Sequence, residues 1–207
     1  MMKLYFGPNS PYARKVRVVL AEKGLPFEPA VIDVAAAGPE YARLNPNLRV
    51  PCLVDGERAL FESNLIVDYL LQTYPDAGGA GQPPLAKAMT RPAHHWEDAL
   101  ILSAIETVLD SGLNLFQIAR SGVAAAQSSY LQREQKRIHS NLDWLEARLP
   151  PEGFVPGTFS IQDLNLTIAW IWLNFRKPLP LQPRPKLDAL VARYERRPSL
   201  QSTHPPG

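Results

Sequence analysis

The stretch Pro75-Asp-Ala-Gly-Gly-Ala-Gly-Gln-Pro-Pro84 constrains this chain most, because three prolines and three glycines in ten residues interrupt any helix or strand. It separates two hydrophobic patterns. Before it, short apolar runs alternate with single helical segments; after it, nearly every apolar residue recurs at helical spacing. The expected organisation is a domain at 1–75, a linker at 76–84 and a second domain at 85–207.

In the first half, Leu4–Phe6 reads as a buried strand, and Asn9-Ser10-Pro11 supplies a turn, a helix cap and a first-turn proline. The helix predicted over Tyr12–Lys23 places Val16, Val19 and Leu20 on one face, leaves Arg14, Lys15, Arg17 and Lys23 as polar positions, and stops at Gly24. Phe27–Val34 reads as a strand near enough to the first to close a β-α-β unit, with Pro29 marking an edge. One or two helical turns over Gly38–Leu44 and a loop at Asn45-Pro46-Asn47 follow. Val50–Val54 and Arg58–Phe61 then form a hairpin around Asp55-Gly56, and Ser63 caps a helix over Asn64–Tyr74. Beyond the connector, helices are expected at about 85–120, 123–149, 160–175 and 186–196. Ser160 and Asp163 have capping-box spacing, and Pro178–Pro185 is a stiff spacer. The fold class is α/β with a four-stranded mixed sheet, followed by an all-α bundle.

Lys and Arg total 22 against 20 Asp and Glu, a formal charge of +2 that offers no basic field for nucleic acid. A single cysteine, Cys52, excludes an intrachain disulfide framework and a multi-cysteine zinc site, and fits a reducing compartment. The amino end shows no secretory pattern, and no run reaches the roughly 18 uncharged apolar residues of a membrane span, Leu164–Phe175 coming nearest. The expectation is a cytoplasmic protein with no nucleic-acid or membrane partner.

Four local patterns in this order, Ser10-Pro-Tyr-Ala-Arg-Lys-Val16, Val50-Pro51, Glu62-Ser63 and Ser160-Ile-Gln-Asp163, with Arg197-Pro-Ser199 after the last helix, resemble the glutathione transferase superfamily over nearly the whole chain. That resemblance implies a thioredoxin-like first domain, a helical second domain and reduced glutathione as co-substrate. Ser10 and Ala13 stand where glutaredoxin-like relatives carry two cysteines, so dithiol exchange is excluded at this helix. A hydroxyl at a helix start, beside the positive end of the dipole, can still hydrogen-bond a thiolate. By the resemblance Ser10 is the catalytic residue that activates the glutathione sulfur, with Asn9, Tyr5 and Tyr12 as rival donors. The shift required is about two pKa units, or about 3 kcal/mol, which one charge-assisted hydrogen bond plus a helix end can supply.

The resemblance also implies that Val50-Pro51 is a cis-proline turn whose backbone pairs with the extended tripeptide. Ser63 and the helix start would then take the γ-glutamyl carboxylate, Glu62 the ammonium, and Arg49 the glycine carboxylate, while Leu48 stands where the family often has glycine. Tyr12 and Trp96 are the residues expected to meet the second substrate, a small, largely apolar electrophile of the kind met in detoxification. His94-His95 makes no convincing metal site, since adjacent helical side chains diverge, and no metal is expected. Trp170, Trp172 and Phe175 are expected in the core, Cys52 is expected to pack, and a homodimer is implied. The alternatives are a non-catalytic binding or regulatory module on the same fold, or a glutathione-dependent peroxidase, dehalogenase or ether-cleaving variant.

Overall fold

A computed structural model describes residues 1–74, 85–86 and 92–206, so the expected linker at 76–84 lies outside the described residues. The chain divides into two compact units, Met1–Pro84 with Arg196–Gly207, and Leu85–Glu195.

In the first unit, β1 (Met2–Phe6), α1 (Pro11–Glu22), β2 (Phe27–Val31), α2 (Pro39–Leu44), β3 (Cys52–Asp55), β4 (Arg58–Phe61) and α3 (Ser63–Thr73) follow the expected order. The sheet runs β2-β1-β3-β4, with β1 and β2 parallel and the other two pairs antiparallel. Pro29 lies on an edge strand, where the missing N–H costs no ladder bond. Leu4 on β1 faces Leu53 on β3, and both join Val16, Val19, Leu20, Ile66 and Leu70 in a fully buried core.

Two differences from the sequence reading concern charge and the carboxyl end. Arg14, Lys15 and Lys23 are buried, Lys15 to 0 % exposure. Lys15 Nζ donates to Asn64 Oδ1 at 2.7 Å, and Arg14 Nη2 to the Leu200 carbonyl at 3.0 Å. Burial, with Arg17 nearby, pushes the Arg14 guanidinium down to about 10. The last residues do not continue the bundle: a short helix, α8 (Pro198–Ser202), belongs to the first unit. There Arg197 Nε and Nη2 donate to the two Glu22 carboxylate oxygens at 2.9 and 2.5 Å. The helical unit therefore ends at Glu195 rather than 207.

The second unit contains β5 (Leu85–Ala86), α4 (His95–Arg120), α5 (Ser129–Arg148), β6 (Phe159–Ser160), α6 (Ile161–Arg176) and α7 (Pro185–Tyr194). The two-residue β5 and β6 pair in parallel, a contact too short to leave a sequence pattern. By length and composition α4 is apolar enough to cross a membrane. Ile101, Ile105, Val108 and Leu109 are buried at helical spacing along α4, the pattern of a bundle helix. A Cβ on Gly112 would lie 3.1 Å from Trp172 Cζ3, so the glycine lets α4 and α6 approach closely.

From Ile161 to Trp170 every residue of α6 is buried, as befits a central helix. Trp170 and Trp172 lie in the core as expected, and Trp170 Nε1 donates to Asp188 Oδ1 at 2.7 Å. The predicted box forms: Ser160 Oγ accepts from the Asp163 N–H at 3.1 Å, while Asp163 Oδ2 accepts from the Ser160 N–H and hydroxyl at 3.2 and 2.6 Å. Asp163 Oδ1 also takes the Phe154 N–H at 2.9 Å. Burial pushes this carboxyl above the ordinary 3.8, against the pull of those hydrogen bonds.

Gly153 has φ +99°, and a Cβ there would meet the Asp163 carboxylate oxygens at 2.8 and 2.9 Å. Gly153→Ala is expected to destabilise the protein by about 2–4 kcal/mol, combining backbone strain with a displaced buried acceptor. Urea unfolding measures this, and an unchanged midpoint would show that the carboxylate moves aside freely.

Candidate active site in the first unit

The pairing that sets the site is Tyr5 opposite Cys52 and Cys52 opposite Phe61. Because these three residues share one level of the sheet, the segments just beyond them, Gly7–Ser10, Val50–Pro51 and Glu62–Ser63, leave it at one end. Adjacent loops meet there: a Cβ on Gly7 would sit 3.7 Å from Val50 Cγ2.

Ser10 is the cap of α1, with φ −78° and ψ 122°, and its Oγ accepts from the Ala13 N–H at 3.2 Å. Accepting that bond leaves the hydroxyl hydrogen available to a ligand, so capping and thiolate binding are compatible. Pro11 fills the first helical position, as the sequence predicts. Asn9 is exposed, and Tyr12 is half-buried with Lys15 Nζ 5.9 Å from its ring centroid.

The Val50–Pro51 peptide is cis, with Pro51 buried and Val50 half-buried just before the β3 ladder begins. Its approach is pinned, since the Arg49 carbonyl accepts from the Tyr41 hydroxyl at 2.5 Å and from Asn45 Nδ2 at 2.6 Å. Burial pushes the Tyr41 hydroxyl up to about 12, which keeps it a donor at neutral pH. Asn45 Oδ1 accepts from the Asn47 N–H at 3.0 Å, an Asx turn announced by Asn45-Pro46-Asn47. Leu48 then takes φ +49°, the left-handed conformation that glycine adopts without strain. The Arg49 side chain is exposed.

At the third segment the cap assignment changes. The sequence reading places Ser63 at the cap, whereas Glu62 holds that position and Ser63 is the buried first residue of α3. Glu62 has φ +69° and ψ 115°, which turns the chain from β4 into α3 within one residue. Its exposed carboxylate accepts from Asn47 Nδ2 at 2.7 Å through Oε1. Asn47, Tyr41, Asn45 and the buried Lys15 were absent from the sequence-based site. Only the Asx turn has a local signal, because Asn47 and Glu62 are 15 positions apart and Lys15 and Asn64 are 49.

Cys52 is buried, its thiol pushed up to about 11 by that burial. Trp96 lies on α4 of the other unit, 76 % exposed and edge-on to His95. Among the described residues no three His, Cys, Asp or Glu side chains come together as a metal site would require.

Two family profiles match the chain, the glutathione S-transferase N-terminal domain over residues 4–82 and the C-terminal domain over residues 128–196. Glutathione S-transferase 3 of Zea mays is 28% identical over 98% of this chain and 92% of its own length. A stringent starvation protein A homolog of Haemophilus influenzae is 35% identical over 51% of this chain and 46% of its own. The crystal structure of a glutathione S-transferase from Methylobacterium radiotolerans, in complex with glutathione sulfonate, superposes with a TM-score of 0.82 at 27% identity, covering 100% of this chain and 95% of that one. The mixed four-stranded sheet followed by a helical unit is thus a family architecture. This chain belongs to the glutathione S-transferase superfamily.

Leu48→Gly is expected to stabilise the chain by about 0.5–1 kcal/mol, the left-handed strain relieved exceeding the entropy glycine adds to the unfolded state. A denaturant midpoint that fell would show that Leu48 contacts outweigh the strain. Cys52 is expected to resist alkylation at pH 8 in the folded protein and to react only upon unfolding. Mass spectrometry of iodoacetamide-treated protein with and without urea checks this, and rapid labelling without urea would contradict the burial.

Proposed function

We propose that the chain binds reduced glutathione at this end of the sheet, holds its sulfur as a thiolate at Ser10 and the α1 amino end, and transfers it to a small, largely apolar electrophile. The observation that carries the reading is the convergence of Ser10, the cis Val50–Pro51 turn and the Glu62–Ser63 start of α3. In this reading Val50 pairs with the peptide backbone, Ser63 and the α3 start take the γ-glutamyl carboxylate, Glu62 the ammonium, and Arg49 the glycine carboxylate. Asn9 borders the sulfur, and Tyr12 and Trp96 serve the electrophile.

The chemistry is nucleophilic. The thiol proton is released, the sulfur lone pair forms a C–S bond, and the electrophile either expels a leaving group with its bonding pair or takes up a proton after addition. Ser10 contributes by stabilising the anion through a hydrogen bond, and the site contributes by orientation. A homodimer in a reducing, cytoplasmic setting is part of the proposal. Trp96 and Leu100, 76 % and 59 % exposed and one helical turn apart on α4, support an apolar contact between copies.

Similarity to a stringent starvation protein A homolog favours a second reading, a glutathione-transferase fold used as a regulatory module. Retention on a glutathione column with conjugation of a generic aromatic halide supports the enzyme; neither retention nor turnover supports the module.

Ser10→Ala is expected to raise the apparent pKa of the bound thiol by about 1–2 units and to lower kcat/KM near neutral pH by about 10–100-fold. Because the reactive form is the thiolate, the variant's activity profile moves to higher pH and the deficit narrows above its new pKa. Loss of the cap should also cost about 0.5–2 kcal/mol of stability. An unchanged thiol titration would pass the role to Asn9, Tyr5 or Tyr12.

A further inference from the structure

We propose that Asn47 is a positioning residue that aims the Glu62 carboxylate at the ammonium of the γ-glutamyl group, and so sets the preference for a free amine on the bound peptide. The proposal rests on the glutathione reading above. It starts from a carboxylate that is exposed yet not left to wander: Glu62 Oε1 accepts from Asn47 Nδ2 at 2.7 Å.

Both ends of that contact are held by backbone. Asn47 is fixed by its own N–H, which donates to Asn45 Oδ1 at 3.0 Å, and Asn45 is buried and donates in turn to the Arg49 carbonyl at 2.6 Å. Glu62 is fixed at φ +69° between β4 and α3, with its carbonyl accepting the Ile66 N–H at 3.0 Å. A glutamate has three side-chain torsions, so a fixed backbone alone does not direct its carboxylate. The Asn47 amide supplies the missing restraint, and because a carboxylate accepts at both oxygens, Oε2 remains for a cation. The same loop carries Arg49 and leads into Val50, so one rigid segment sets both the peptide-pairing turn and the direction of the acid. An unrestrained Glu62 would instead be ordered only on binding, at an entropic cost to affinity.

The test compares glutathione with its desamino analogue, in which the γ-glutamyl amine is replaced by hydrogen. Asn47→Ala is expected to raise the KM and Kd for glutathione by about 3–10-fold with kcat retained, and to leave the Kd of the desamino analogue unchanged. In a Glu62→Gln background, which removes the charge being aimed, the further change Asn47→Ala should not alter the ratio of the two Kd values. Thermal unfolding of Asn47→Ala checks that the loop survives, and the double-mutant ratio reads the coupling even if stability falls. Equal weakening of both ligands, or no weakening of either, would overturn the positioning role. If the unmodified protein binds neither peptide, the glutathione reading itself fails, an outcome distinct from normal binding with an unaltered preference.

Discussion

The site depends on strand register. With Tyr5 opposite Cys52 and Cys52 opposite Phe61, three loops far apart in the chain emerge at one end of the sheet. A slip of one residue would turn Leu4 and Leu53 from the core to the opposite face and carry Val50 away from Gly7. That alternative loses two fully buried leucines, so hydrophobic burial holds the geometry of a polar site. The Asp55-Gly56 turn reinforces the register locally, Gly56 taking the φ of +60° that a tight hairpin needs.

On that frame the polar end is assembled from groups that would be costly elsewhere. Leu48 and Glu62 both hold positive φ, a strain of about 1 kcal/mol or more each. Each sits in a backbone fixed from both sides, Leu48 by the Asn45 and Tyr41 bonds around Arg49, Glu62 by the ladder of β4 and the first turn of α3. Two helix amino ends, those of α1 and α3, begin at this end of the sheet, and the buried Lys15 bonds Asn64 in the first turn of α3. Positive helix ends make an environment that favours anions, as the proposed thiolate and carboxylate require.

Much of the fold was legible because its signals are local. The β-α-β unit followed from the apolar runs around Ser10-Pro11, the hairpin from Asp55-Gly56, and the start of α6 from Ser160 and Asp163, each a pattern completed within a few residues. At the site, the Ser10 cap was legible for the same reason, whereas the cis Val50–Pro51 turn was expected only from the family resemblance. What escaped was long-range. The polarity of Arg14 and Lys15 gave no hint that they would be buried, because their partners lie 186 and 49 positions away. The role of Asn47 was hidden likewise, and α8 is too short to show a helical period.

The returning carboxyl end explains why α1 tolerates charges on a covered face. The Arg197 and Glu22 side chains are only 7 % and 11 % exposed, and Ser199 adds a third hydrogen bond to the same carboxylate. Such a pair contributes little net stability when intact, since desolvation offsets attraction, but removing either partner leaves an uncompensated buried charge. The consequence is positional: α1 is packed against α3, with Val16, Val19 and Leu20 buried, and gripped elsewhere along its length by Arg197 and the Leu200 carbonyl. A helix held from two directions cannot rotate about its own axis without breaking one set of contacts. Ser10, the cap of that helix, is therefore held in place, with its Oγ anchored by the Ala13 N–H, the preorganisation that the proposed hydrogen bond to a thiolate requires.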